Sequence, residues 1–210
     1  MSNFTITTFD WVPELPRGYV RDIRLRWALE EAGIPYDIEL TAFNERENTH
    51  YLHQPFGQVP WLSHEDKEIF ESGAGLLYIA EHSDELISTE NSSSVIQWLF
   101  AALNSVEMAS LPWTILKFSG DTFENHGSKA IEQFLHSRLK HMNEYLRERN
   151  WLAEQFSVAD IAMADVLRLV DRFDGLKQYS YCRKYLEQCV SRAAFKKAYK
   201  DQLELYSTVR

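Results

Sequence analysis

Cysteine is nearly missing from this 210-residue chain: only Cys182 and Cys189 occur. Seven positions apart on one helix they stand ~10 Å apart along the axis, too far for a disulfide. Two inert, reduced thiols of a cytosolic protein are the expectation, and a disulfide scaffold is excluded. Positive charge is in deficit, with 22 Lys and Arg against 31 Asp and Glu and a net charge of −9. Non-specific nucleic-acid binding needs a basic face, so that class is excluded, and anionic membrane surfaces are disfavoured. No apolar run approaches the ~20 residues of a membrane span. No basic stretch followed by an apolar run opens the sequence, so no signal peptide is expected. Internal repeats and low-complexity tracts are absent beyond Ser92-Ser93-Ser94. What is present is 45% hydrophobic and 13% aromatic residues, enough for a substantial core in one large domain or two small ones.

The periodicities divide the chain. Phe4 to Phe9 reads as a strand, and a proline-punctuated loop follows. Tyr19 to Ala32 is helical, with Val20, Ile23 and Trp27 in one apolar row and Arg21, Asp22, Arg24, Glu30 and Glu31 mostly on another face. Gly33 and Pro35 stop it. Tyr36 to Leu40 alternates as a second strand, so a parallel βαβ unit is expected. Thr41 to Gln54 is polar and irregular. After Asp84 no strand pattern recurs. Helices are expected from about Asn91 through Phe118 with a bend near Pro112, over Ser128 to Arg149, from Ser157 to about Asp171, near Tyr181 to Cys189, and over Ala193 to Leu205. Strands confined to the first 80 residues indicate two domains, 1–83 α/β and 91–210 all-α.

The most informative stretch is Gln54 to Ser72. Two short apolar runs, Val59-Pro60-Trp61-Leu62 and Ile69-Phe70, flank the turn residues His64-Glu65-Asp66-Lys67 and predict a β-hairpin. Pro60 cannot donate to a ladder and belongs at a strand start or edge, which leaves the N–H and C=O of Val59 free for an extended peptide. Ser72 opens an apolar helical run, and a helix N-terminus with a serine hydroxyl suits an anion. In the second half, Ser157-Val158-Ala159-Asp160 is a capping-box variant heading the apolar run Ile161 to Ala164. Asp160 is therefore expected to be structural.

Taken together, the βαβ-ββα order, the Val59-Pro60 turn, the Glu71-Ser72 pair and the capping box resemble the cytosolic glutathione S-transferase family across nearly the whole chain, in a bacterial-type form. The resemblance implies a thioredoxin-like N-terminal domain with an all-α helical C-terminal domain. It implies a glutathione transferase that joins the glutathione thiolate to a hydrophobic electrophile or reduces organic peroxides. A catalytically weak binding or regulatory module of the same fold is the alternative.

Site residues follow from the same resemblance. Val59 exchanges backbone hydrogen bonds with glutathione as in strand addition, and Pro60 is cis. Glu71 accepts from the γ-glutamyl ammonium and Ser72 donates to its carboxylate. Gln58, His50, His53 and Arg46 are candidates near the glycyl carboxylate. The free thiol has a pKa near ~8.5, so a donor or positive potential must stabilise its anion. Tyr19 stands where the serine and cysteine classes carry that group and is expected to begin the helix, where the dipole favours an anion. Arg17 or a backbone N–H near Gly18 is the alternative, with Thr7 and Thr8 behind them; Tyr19 could also serve packing alone. No cysteine lies near residues 5 to 25, so cysteine-based thiol transfer is excluded. Trp11, Trp113 and Phe118 are candidate walls for the hydrophobic substrate. His50 and His53 have no third ligand at a sensible spacing, so glutathione is expected as cosubstrate without a metal. A cytoplasmic homodimer without nucleic-acid or membrane partners completes the expectation.

Overall fold

The computed structural model describes residues 3–44, 46, 48–120 and 125–208. Four strands, β1 (Phe4–Phe9), β2 (Tyr36–Thr41), β3 (Trp61–His64) and β4 (Lys67–Phe70), form one sheet in the order β2-β1-β3-β4. β1 lies parallel to β2, with Phe4 opposite Tyr36 and Phe9 opposite Thr41. It runs antiparallel to β3, with Thr7 opposite Trp61. Central position explains why β1 is buried along most of its length, Ile6 completely. The expected hairpin is present, with Trp61 paired to Phe70 and His64 to Lys67.

Helix α1 (Asp22–Ala32) crosses between β1 and β2 and ends on Gly33 in the left-handed conformation, the stop read from the sequence. Its start differs from that reading. Residues 14–21 form successive turns, with Tyr19 N–H donating to the Pro16 carbonyl and Ile23 N–H to Val20. Gly18 has φ +80°, and a Cβ there would meet the Tyr199 ring at 2.6 Å. A left-handed residue interrupts any regular helix, so Tyr19 precedes α1 instead of opening it. A short helix α2 (Asn48–His53) lies in the stretch expected to be irregular. α3 (Ser72–Ala80) begins where expected.

The chain divides into two compact units, Met1–Ile87 with Arg192–Arg210, and Ser88–Ser191. The first therefore includes α9 (Ala193–Thr208), which the sequence grouped with the helical half. α9 packs on α1: Phe195 meets the Trp27 ring edge-on at 4.8 Å, and Arg192 grips Glu31 through two bonds of 2.6 and 2.7 Å. This covers the supposed polar face of α1. Asp22, Arg24 and Arg26 are 0, 2 and 3% exposed.

The second unit holds α4 (Ser92–Ala101), a π-helical turn (Ala102–Glu107), α5 (Met108–Ser119), α6 (His126–Tyr145), α7 (Val158–Asp171) and α8 (Ser180–Val190). The irregularity falls at the π turn, and Pro112 stays inside α5. Ser92–Ser119 as a whole is long and apolar enough to cross a membrane by length and composition, which the run-by-run view of the sequence passes over. Its inner row, Val95, Leu99, Ala102, Val106, Ala109 and Trp113, is however core of this unit. The capping box forms. Asp160 is fully buried and accepts from Ser157 N–H at 3.0 Å and Ser157 Oγ at 3.1 Å. It also accepts from Leu152 N–H at 3.0 Å and Tyr185 Oη at 2.8 Å, so it ties α7 to α8 and to the preceding loop. Burial nevertheless pushes its carboxyl up to about 6.

Candidate active site

The hairpin register determines what meets at its open end. Trp61 pairs with Phe70, so the residues just outside the ladder, Pro60 and Glu71, fall at the same level. Likewise Thr7 pairs with Trp61, which brings Val59 level with the C-terminal end of β1. Val59–Pro60 is a cis peptide. The Val59 side chain packs on a small core of Phe9, Val12 and Tyr206, which Val20, Phe43 and Leu205 also join. Among the described residues, neither the N–H nor the C=O of Val59 has a partner.

Two buried side chains that the sequence did not assign in this way hold the turn. Gln54, 2% exposed, accepts through Oε1 from Phe56 N–H at 2.7 Å and Gln58 N–H at 3.4 Å. His50, 3% exposed, contacts the Gln58 carbonyl through Nε2 at 3.0 Å and Thr41 Oγ1 through Nδ1 at 3.2 Å. Both ring nitrogens are therefore engaged inside the fold. His50 braces the backbone before Val59 and does not face a ligand carboxylate, correcting its expected place. The exposed Gln58 remains at the surface. Gly57, at φ +66°, passes over the Tyr51 ring, where a Cβ would come within 2.8 Å. His53 stacks on Trp61 and contacts Glu68 at 2.8 Å. Arg46 lies over the Phe9 ring at 4.9 Å.

At the other side of the same end, Glu71 has φ +69° and ψ 116°, an uncommon conformation for a residue with a side chain. Such strain is concentrated where a side chain must be presented. Its side chain is exposed and Ser72 beside it is 6% exposed. Arg24 of α1 donates through Nη1 to Ser72 Oγ at 3.2 Å. An oxygen that accepts from a guanidinium keeps its own O–H for an external acceptor. The site thus has a backbone edge, a helix N-terminus and a buried cation behind a serine. The sequence reading places Arg24 only off the apolar row of α1 and gives it no part in the site.

The candidates for thiol activation lie on the segment before α1. Tyr19 is half-buried, and its neighbour Val20 packs in the same small core as Val59. Arg17 is half-buried, with Nε donating to the Val12 carbonyl at 3.4 Å. Thr8 is fully buried against the Tyr206 hydroxyl at 3.0 Å, and Thr7 is 1% exposed. Neither threonine is open to a ligand.

The three candidate substrate walls differ in burial. Trp11 is half-buried, its ring edge-on to Phe43 at 5.5 Å. Phe118 is half-buried against Phe173 at 5.0 Å. Trp113 is 4% exposed, packed near Phe173 and close above Gly175, so it is core and not a wall. Large aromatic area is most stabilising when buried, and this ring follows that tendency. No group of three or more His, Cys, Asp or Glu suited to a metal ion occurs among the described residues.

Residues 15–81 match the family model described as glutathione S-transferase, N-terminal domain. That stretch, about a third of the chain, is similar to the N-terminal domain of glutathione S-transferases. It is 26% identical over 185 residues to glutathione S-transferase F12 of Arabidopsis thaliana, covering 80% of this chain and 86% of that protein. It is 28% identical over 149 residues to elongation factor 1-gamma of Trypanosoma cruzi, covering 67% of this chain but 35% of that longer protein. The fold is that of a glutathione transferase from Pseudomonas putida solved with one glutathione disulfide per subunit. That match has a TM-score of 0.82 at 21% identity over 95% of this chain and 91% of the other. A Pseudomonas fluorescens family member solved with two glutathione bound gives 0.80 at 21% identity, over 94% and 92% of the two chains.

Proposed function

We propose that this chain is a glutathione S-transferase that binds glutathione at Val59, Glu71 and Ser72 and passes its thiolate to a hydrophobic electrophile. The observation that carries the reading is the open end of the hairpin. There, a Val59 edge unpaired among the described residues lies level with the strained Glu71 and the Arg24-backed Ser72. An extended tripeptide adds to such an edge as a strand, and its terminal charges need oppositely charged or donating groups at the ends. In this reading Glu71 takes the γ-glutamyl ammonium, Ser72 donates to the carboxylate, and Gln58 lies toward the glycyl end. Pro60 fixes the turn, and His50 holds it from inside.

Tyr19 is the proposed donor to the sulfur, with Arg17 or a backbone N–H near Gly18 as alternative. The thiol releases its proton to solvent, the sulfur pair forms a bond to the electrophilic carbon, and the leaving group departs with its bonding pair. A donor aimed at the sulfur favours the anion and lowers the thiol pKa. Trp11 is the proposed wall for the electrophile from the first unit.

A homodimer is part of the same proposal. The outer row of α4 and α5, Ile96, Phe100, Met108, Leu111 and Ile115, is 39 to 57% exposed, and a contiguous apolar surface of this kind suits a protein partner. Light scattering at micromolar concentration should give about twice the 24.6 kDa chain mass; a mass of one chain sinks the dimer.

The similarity to elongation factor 1-gamma supports a second reading, a binding module of the same fold. Retention on immobilised glutathione followed by assay with 1-chloro-2,4-dinitrobenzene and an organic hydroperoxide separates the two. Retention with turnover of either substrate is expected. No retention removes the enzymatic reading.

A further inference from the structure

We propose that Gln202 of α9 is a positioning residue that holds the thiol-activating segment 17–22 in place. The inference rests on the reading that this segment carries the group facing the sulfur. Gln202 is fully buried. Its Nε2 donates to the Val20 carbonyl at 2.9 Å and to Asp22 Oδ1 at 2.5 Å. One amide thus spends its donors on two residues of a single short stretch, 180 positions earlier in the chain.

That stretch needs an external anchor. Residues 14–21 are turns without regular helix, and the Arg21 side chain makes no capping bond to the first turn of α1. The turns leave the entry into α1 to be fixed by contacts from elsewhere. α9 provides them along one face, since Phe195, Tyr199, Gln202 and Tyr206 recur at helical spacing. Tyr199 lies against Gly18, closely enough that a Cβ would clash. Tyr206 reaches Thr8 and the core shared by Val20 and Val59. Gln202 sits between these contacts and is bonded directly to the backbone next to Tyr19. Asp22, the second acceptor, is itself bonded to Arg26 Nε at 2.6 Å, so the amide joins a network rather than a lone carbonyl.

The chemical consequence is geometric. A donor to a thiolate loses strength steeply with distance and angle, and displacement by ~1 Å can cost ~10²-fold in rate. The proposed glutathione contacts at Val59 and Ser72 belong to other elements, so loss of Gln202 should alter thiol activation more than glutathione affinity.

The test uses Gln202→Met, nearly the same shape without the donor, and Gln202→Glu, which keeps the size and turns the donor into an acceptor. Arg192→Gln is the control: it weakens the same α9–α1 contact at Glu31, away from the segment. Each full-length variant is titrated for glutathione affinity, for the pKa of bound glutathione by ultraviolet thiolate absorbance, and for kcat and KM with 1-chloro-2,4-dinitrobenzene. Both Gln202 variants should raise the bound-thiol pKa by about one unit and, at a pH below that pKa, lower kcat about tenfold, since there one unit is tenfold in thiolate fraction. KM for glutathione should stay within about twofold of wild type, the range left when separate contacts are intact, while Arg192→Gln leaves the thiol pKa unchanged. If a Gln202 variant folds and its thiol pKa matches wild type, the inference is overturned. It is overturned equally if Arg192→Gln shifts that pKa as much, because the effect is then general loosening. A wild-type protein that does not bind glutathione removes the underlying functional reading instead. If Tyr19→Phe has no effect while Gln202→Met does, only the choice of Tyr19 within the segment fails.

Discussion

Ser72→Ala probes the proposed glutathione site most directly, because in the proposed reading its hydroxyl has two duties. Oγ accepts from Arg24 Nη1 at 3.2 Å, and Arg24 is 2% exposed. The hydroxyl proton remains for the γ-glutamyl carboxylate of the proposed ligand. Removing a hydrogen bond to a charged group costs about 1.5–3 kcal/mol, so the glutathione dissociation constant should rise about ten- to 150-fold. A second loss falls on the free protein, since a buried guanidinium N–H loses an acceptor. Calorimetric titration gives the first quantity and thermal melting the second. A cycle with Arg24→Met tests whether they are linked: residues in one hydrogen-bonded chain couple by about 0.5–3 kcal/mol. Unchanged affinity in Ser72→Ala would refute the placement of the carboxylate at the start of α3. Full additivity with Arg24→Met would show that Arg24 does not orient the hydroxyl.

The remaining predictions concern the sulfur and the second unit. Tyr19→Phe should raise the pKa of bound glutathione by about one unit, ~1.4 kcal/mol of differential stabilisation, and reduce turnover at neutral pH with affinity retained; an unmoved titration and rate would transfer the role to Arg17 or the backbone near Gly18. Asp160→Ala leaves the Leu152 and Ser157 N–H groups and the Tyr185 hydroxyl without their buried acceptor, and at about 1–3 kcal/mol per unsatisfied group it should destabilise by ~3 kcal/mol or more; a melting shift typical of an exposed cap would contradict this. The Asp160 carboxyl is raised from 3.8 to about 6 by burial, so the folded state holds its proton more tightly than the unfolded chain. Its stabilising contribution is complete below pH 4 and is lost as pH rises through 6, about 3 kcal/mol over that window. Asp160→Asn should lack this component of the pH dependence in denaturant unfolding, and parallel curves for the two proteins would refute it.

Local features were legible where neighbours in sequence decide them. β2 alternates, Gly33 supplies the left-handed stop, and Ser157 and Asp160 cap α7 within one turn. The hairpin was legible for the same reason, and with it the level of Val59 and Glu71. α2 was not, because six residues are too few to show a helical period, and its fixed points are the tertiary bonds of His50 to Thr41 and Gln58. Trp113 is not legible as core, because an aromatic residue on a helix has no sequence mark that separates core from cleft. Tyr19 was placed on the first turn of α1 because apolar periodicity runs through Val20, while the left-handed Gly18 and its fit against Tyr199 depend on a helix at the far end of the chain.

The largest departure is the burial of the charges on α1, and its cause is the same. Placing Asp22 and Arg24 on a polar face of α1 implies water opposite the apolar row. In this chain α9 replaces the water on one side, and α3 supplies Ser72 on another. A buried charge is costly unless paired and hydrogen-bonded, so each of these side chains demands a particular partner. Asp22 takes Arg26 and Gln202, and Arg24 takes Ser72. Apolar contacts alone tolerate sliding of one helix over another; these bonds do not, because a shift of one turn leaves a charge unpaired. The charged residues of α1 therefore act in two directions, setting the register of α9 and aiming the serine at the start of α3. That double constraint explains why a helix so rich in charge is buried, and why the terminal helix belongs with the sheet whose open end forms the proposed glutathione site.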